Sequence, residues 1–235
     1  MDAPLKVIVG YDSREDIAWQ VCRHSLERHA SRPVQVIPLR QPVVRELGLY
    51  SRGLDATAST EFSLTRFLTP YLAATEGPSV FVDCDFLFTR DIHELIDSLA
   101  PGKAIHVVKH VYEPHHAVKM DGKAQTTYPR KNWSSFMVFN GGHPDVRKLT
   151  PAYVNSATPA QLHRFEWIED DADIGELDRE WNYLVGEYPT ADRAPAAIHY
   201  TNGGPWFDEW RDCDYGDLWT AERALYEASR RGIAA

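Results

Sequence analysis

Short apolar runs along the chain alternate with longer stretches in which apolar residues recur every three or four positions. "LKVIVGYD" (5–12) reads as a buried strand. "SREDIAWQVCRHSLERHA" follows as a helix with Ser13 as its N-cap, acids in its first turn, and Ile17, Val21 and Leu26 on one face. "PVQVIPL" (33–39) supplies a second strand and completes a β-α-β unit of the kind that builds parallel sheets. Residues 40–58 show no clear period and read as an active-site loop. In "STEFSLTRFLTPYLAAT" (59–75), Leu64, Leu68, Tyr71 and Leu72 sit at helical spacing until Gly77-Pro78 stops the run, and "SVFVDCDFLF" (79–88) reads as the third strand.

Further on, "DIHELIDSLA" predicts a helix capped by Asp91, "AIHVVKH" and "SSFMVFN" predict strands, and Thr158-Pro159 starts a helix in "TPAQLHRF". "AAIHYT" (196–201) is a late short strand. "DLWTAERALYEASRR" is a closing helix with Leu218, Ala221, Leu225 and Ala228 on one face. No internal repeat, linker or low-complexity tract interrupts this order, so the expectation is one α/β domain over residues 1–235.

Composition narrows the function. A hydrophobic content of 43%, with 7 Trp and 11 Tyr, excludes a disordered chain. A formal charge of −9 gives no general attraction to phosphate backbones and argues against a nucleic-acid binder. Cys22, Cys84 and Cys213 are too few and too scattered for a disulfide framework, and there is no CxxC pair for structural zinc. Neither a signal peptide nor a run of membrane-spanning length is present, so the expectation is a soluble cytoplasmic protein without a transmembrane segment.

Within the third strand, Asp83 and Asp85 stand one residue apart in an apolar run, where an ionised carboxylate is costly unless a cation, a hydrogen-bond cage or solvent meets it. An acid-x-acid pair at the carboxyl end of a strand suits an oxygen-coordinated divalent cation with open positions for substrate phosphates. Phosphohydrolases of the haloacid dehalogenase type also use such a pair, but near the N-terminus and with Thr or Val where this chain has Leu87. A second candidate is "HYTNGGPWF" (199–207). There His199 offers a nitrogen to the same cation, and the Gly203 and Gly204 amides offer donors to an anion.

These segments, taken in order, resemble the GT-A fold nucleotide-sugar transferases, specifically glycosyltransferase family 8, the glycogenin and bacterial lipopolysaccharide galactosyltransferase group. "VIVGYDS", "TRFLTPYL", "FVDCDFLFTRDI", "FMVFNGG", "EWNYLVGEY" and "HYTNGGPW" carry the resemblance over most of the chain. It implies a Rossmann-like mixed sheet flanked by helices, with residues 1–90 as the nucleotide-binding half and 91–235 as the acceptor side. The implied cofactor is Mn²⁺ or Mg²⁺ held by Asp83, Asp85 and His199, and the implied donor is a UDP-sugar. Tyr11 and Asp12 would line the nucleoside pocket, with Asp83 also touching ribose or diphosphate and Trp206 belonging to the donor site. Arg66 matches a family arginine near the donor, although a helix-surface ion pair explains it equally well. Asn140 and Gly141 would face the sugar, and Trp181 and Asn182 read either as packing or as part of the sugar and acceptor wall.

Two departures from the family pattern change the expectations. Gly204 stands where the family carries a diphosphate-binding Lys, which leaves the Gly203 and Gly204 amides or Arg66 to meet the anion. The family's Asp-Gln pair is missing, and Asp170, Asp171 or Asp173 is the expected replacement at the reacting sugar, unless this is only a solvated acidic loop. The expected activity is transfer of a hexose to the hydroxyl of a saccharide, lipid-linked or protein acceptor. The alternative is a non-catalytic nucleotide-sugar binding protein. Acceptor recognition is expected in residues 110–195, where His115-His116 reads as an exposed loop pair rather than a second metal site.

Overall fold

The computed structural model describes residues 3–53, 59–111 and 130–233. The strands are β1 (Leu5–Gly10), β2 (Val34–Leu39), β3 (Pro78–Val82), β4 (Phe86–Phe88), β5 (Ile105–Val107), β6 (Phe136–Asn140), β7 (Ile174–Glu176), β8 (Tyr183–Leu184) and β9 (Ala197–His199). The helices are α1 (Asp16–His29), α2 (Gln41–Glu46), α3 (Thr69–Ala73), α4 (Ile92–Asp97), α5 (Pro144–Arg147), α6 (Pro151–Ser156), α7 (Pro159–His163) and α8 (Gly216–Ile233).

The main sheet has the order β2-β1-β3-β6-β5-β7, and a smaller one runs β4-β9-β8. β1 pairs parallel with β2 on one side and with β3 on the other. The strand order therefore reverses at β1, and the carboxyl ends of β1 and β3 flank the crevice where open α/β sheets bind ligands. β6 runs antiparallel to both β3 and β5, which makes the sheet mixed.

The apolar run 79–88 is two strands in two sheets. Residues 80–82 are fully buried in β3, the chain turns at Asp83–Asp85, and Phe86 enters β4, which pairs with β9 instead of extending the main sheet. α1 bridges the two sheets: Ser25 Oγ donates to the Cys22 carbonyl and accepts the Phe88 N–H at 3.1 Å, satisfying polar groups that are wholly buried.

Several expected elements differ. α1 is preceded by a 3-10 turn over Ser13–Glu15 that is capped by Asp12 and not by Ser13. Residues 40–58 contain α2, with Pro42 in its first turn, where a missing N–H costs nothing. The helix expected over 59–75 is reduced to a 3-10 turn at Thr65–Leu68 followed by α3, because Pro70 begins a new helix. In α8 most of the expected apolar face points outward: Ala221 and Ala228 are exposed and Leu225 is 49% exposed, while Leu218 packs partly buried against the cluster around Trp219. Trp219 and Glu222 point inward instead. The Trp219 side chain is 2% exposed, and its ring packs on Trp206 at 5.4 Å.

Glu222 ties α8 to α1, accepting from Arg28 Nε at 3.0 Å and contacting His24 Nδ1 at 2.7 Å. Burial alone would raise its pKa, but the Arg28 and His24 contacts outweigh this and hold the carboxyl below its usual range. A depressed folded-state pKa contributes stability above the unfolded value and loses it as pH falls through the folded one. Glu222→Gln is therefore expected to cost about 1 to 3 kcal/mol near neutral pH. The gap between parent and variant should close in acid below the usual carboxylate range, as the folded carboxylate protonates. Urea unfolding at the two pH values checks this, and an undiminished gap in acid would refute the ion-pair account.

Candidate active site

The turn after β3 is held by its own backbone: Asp83 N–H donates to the Ser135 carbonyl just before β6, and the Asp85 carbonyl accepts Tyr200 N–H just after β9. The register that sets Phe86 opposite His199 thus brings residues far apart in sequence to one place. His199 Nε2 lies 3.3 Å from Asp85 Oδ2, with the imidazole stacked on Phe86 at 4.3 Å. Ligand atoms of Asp83, Asp85 and His199 all fall within 4.8 Å of one another. Asp85 Oδ1 is buried with no hydrogen-bond partner. A buried carboxylate oxygen in that condition is costly unless a cation meets it, so these three residues fit a divalent ion.

Arg66, only 5% exposed, places Nη1 2.9 Å from Asp83 Oδ1 and donates to the Ser134 carbonyl at 2.8 Å. Its guanidinium lies 5.3 Å from the Phe62 ring and 5.0 Å from the Phe81 ring. The arginine therefore makes an ion pair, though a buried one that orients Asp83, not one on a helix surface. Around Asp85, burial would raise the carboxyl pKa, but the His199 charge and hydrogen bond, with Arg66, hold it below the usual range.

These groups open into a cleft of about 650 Å³. Its charged lining comprises Glu15, Asp83, Asp85 and Glu209 against Arg14 and Arg66, with Ser134, Ser135, His163, Phe207 and Trp210 completing the walls. Burial first, then the Asp85 and Asp12 charges, push the Glu15 carboxyl up to about 8. Glu15, Glu209 and the Asn132–Ser135 turn were not singled out from the sequence. Glu15 looked there like an ordinary first-turn acid, and the left-handed Asn132 (φ 64°) leaves no clear mark in the sequence.

The other expected residues distribute as follows. Asp12 is fully buried and accepts from Arg14 N, Nε and Nη2 and from Glu61 N–H, so its oxygens are saturated and it clamps the cleft edge from behind. Tyr11 also lies outside the lining; its hydroxyl donates to Asp16, and the Arg40 guanidinium sits 3.7 Å over its ring. Gly203 lines the cleft at φ +124°, but its N–H is tied to the Tyr200 carbonyl at 2.8 Å, which corrects its expected role as an anion donor. Gly204 is buried behind the wall, where a Cβ would come 2.0 Å from the Trp206 ring, and Trp206 packs against Tyr200 and Trp219 outside the lining.

Asn140 does not reach the site. Because β6 is antiparallel, Phe136 pairs with Val82 while Asn140 pairs with Pro78, which puts Asn140 roughly 14 Å along the strand from the Asp83 edge. Gly141 beside it is packed against Thr75, whose carbonyl a Cβ would meet at 1.8 Å. Asp170 caps the 3-10 turn before β7, Asp171 pairs with Arg130 at 2.6 Å, and the Asp173 carbonyl accepts Ala104 N–H at that same distal edge. All three lie outside the cleft lining because β7 starts at that edge. His143, Asp145 and Asp173 gather there as well, but Lys148 Nζ already lies 2.6 Å from Asp145. Trp181 packs beneath Arg90, and Asn182 is fully buried against His199. His115 and His116, with the rest of residues 112–129, lie outside the described residues.

Among the described residues no helix is long and apolar enough to cross a membrane. No protein-family model matches the chain. Protein CDI of Arabidopsis thaliana is 47% identical over 232 residues, covering 97% of this chain and 89% of that one. Among solved structures, the apo bifunctional glycosyltransferase WbbM matches with a TM-score of 0.61 at 16% identity, over 95% of this chain but only 50% of its own length. The galactosyltransferase LgtC, in complex with donor and acceptor sugar analogues, matches with a TM-score of 0.56 at 11% identity, over 94% of this chain and 96% of its own. Those two structural likenesses carry the architecture, and the 47% identity to Protein CDI carries kinship: the chain belongs to the family of Protein CDI, built on the GT-A glycosyltransferase fold.

Proposed function

We propose that this protein is a metal-dependent glycosyltransferase that moves a hexose from a UDP-sugar to an acceptor hydroxyl. The observation that carries the reading is the convergence of Asp83, Asp85 and His199 at the carboxyl end of β3, where Asp85, with one buried and unpartnered oxygen, lines a cleft of nucleotide-sugar size. Bound there, Mn²⁺ or Mg²⁺ supplies Lewis-acid stabilisation of the charge that develops on the leaving diphosphate. Arg66 holds Asp83 in position from behind, and Phe86 holds the His199 ring by stacking. Both guanidiniums in the lining already carry partners, Asp12 for Arg14 and Asp83 for Arg66. With both of these cations paired to carboxylates, the lining favours a cation-bound diphosphate over a bare one.

The donor base is taken as uridine from the family resemblance. Residues 1–90 supply Glu15, Arg66, Asp83 and Asp85, while 91–235 supply Ser134, His163, His199 and the Phe207–Trp210 rim, a shared lining that supports a donor half and an acceptor half. Three free cysteines fit a reducing setting such as the cytoplasm.

A thermal-shift panel of nucleoside diphosphate sugars, with and without Mn²⁺, tests the reading. UDP-sugars are expected to stabilise the fold only with the metal, since ligand-linked stabilisation follows affinity. Strong protection by GDP and none by UDP would overturn the uridine assignment. Binding without release of free nucleoside diphosphate, whatever acceptor is offered, would instead establish a non-catalytic nucleotide-sugar binding protein.

A further inference from the structure

We propose that Asn182 is a positioning residue that fixes which nitrogen of His199 faces the cleft. The argument starts at an atom with a single possible role. The Asn132 carbonyl can only accept, and it receives Ser135 Oγ–H at 2.8 Å. With its proton so used, Ser135 Oγ accepts from the Asn182 amide nitrogen at 2.9 Å, and the same nitrogen also reaches the Asn132 carbonyl at 3.4 Å. The NH₂ end of Asn182 must therefore point at this turn, and its carbonyl oxygen must point at His199 Nδ1, 2.8 Å away. An amide oxygen cannot donate, so Nδ1 carries a proton. That leaves Nε2, the nitrogen beside Asp85, as the one available to a cation.

Every member of this relay is oriented by the previous one, from a backbone carbonyl to the cleft. Asn182 is fully buried and His199 is 2% exposed, so water does not compete for these bonds. The free imidazole has no such constraint and takes either tautomer. A His199 without this partner would present the wrong nitrogen, or a rotated ring, to an incoming cation for part of the time. Asn182 touches neither donor nor cation; it acts through His199, as outer-shell partners of metal-bound histidines do. The metal part of this inference rests on the proposed function, whereas the tautomer part does not.

The test uses ¹⁵N-histidine-labelled full-length protein, metal-free and at alkaline pH, with long-range ¹⁵N–¹H spectra reporting which nitrogen of His199 bears the proton. Nδ1–H is expected in the parent and in Asn182→Asp, which keeps an acceptor for it. Nε2–H, or a mixture, is expected in Asn182→Leu. In parallel, Mn²⁺ affinity read from the free-ion EPR signal should fall about ten- to a hundredfold in Asn182→Leu and be largely restored in Asn182→Asp. An Nε2–H tautomer in the parent would overturn the proposal, and so would a folded Asn182→Leu that keeps Nδ1–H and the parent's Mn²⁺ affinity. If Asn182→Leu fails to fold, the parent and Asn182→Asp spectra still decide the tautomer. A parent that takes up no Mn²⁺ would sink the proposed function, yet the spectra would still judge the role of Asn182.

Discussion

Asp85→Asn and His199→Ala are each expected to abolish the Mn²⁺-dependent part of nucleotide-sugar binding, and transfer with it. Asp85 Oδ1 has no hydrogen-bond partner, so the amide that replaces the carboxylate breaks no existing contact at that atom, while it removes the charge a cation requires. His199→Ala removes the nitrogen donor but also leaves a space beside Phe86 and deprives Asn182 of its partner, so some loss of stability accompanies it. Asp85→Asn is thus the cleaner variant. With ligand at about a hundredfold excess over Kd, the parent should gain about 3 kcal/mol from UDP-sugar and Mn²⁺ together. For a chain of this size that is a rise in Tm of about 5 to 10 °C, which both variants should lose. Unchanged metal-dependent shifts in both would refute the ligand assignment.

Gly204→Val should damage the fold first and binding second. A Cβ at Gly204 would lie 2.0 Å from the Trp206 ring, a distance that no small adjustment accommodates. Trp206 would have to leave its packing against Trp219 at 5.4 Å and Tyr200 at 5.9 Å, at a cost on the order of 3 to 5 kcal/mol, as for truncating a packed tryptophan. UDP binding should weaken only indirectly, since Tyr200 and Gly203 of the same segment line the cleft. The expected result is a Tm lower by about 10 °C, with altered tryptophan fluorescence. Because the two positions collide, the effects should not add: Gly204→Val in a Trp206→Ala background should cost little more. Full additivity, or a Gly204→Val protein with the parent's Tm, would show that the collision is not what demands glycine here.

The β-α-β opening, the helix capped by Asp91, the Thr158-Pro159 helix start and the β9 strand were all legible in the sequence, since each rests on local periodicity and a local cap. The metal-ligand candidates were legible for a different reason. Two acids in an apolar run, and a histidine followed by two glycines, are costly arrangements that ask for a ligand or a close contact wherever they end up. The outward turn of α8 was not legible, because helical spacing identifies two plausible faces and only the neighbouring Trp206 and Arg28 decide between them.

What the sequence by itself determined was the inventory: which residues carry charge, which can bind a cation, and which short segments become strands or helices. Which of these meet was decided by tertiary structure. The antiparallel direction of β6 moved Asn140 to the far edge, although its segment lies in the order the family pattern requires, and the start of β7 moved Asp170 and Asp171 there too. The pairing of β4 with β9 joined Asp85 to His199, and the turn before β6 linked Asn182 to His199 through a chain of buried hydrogen bonds. Strand direction and register are settled by long-range pairing and burial, and a one-residue slip or a reversed strand changes every neighbour while leaving local propensity untouched.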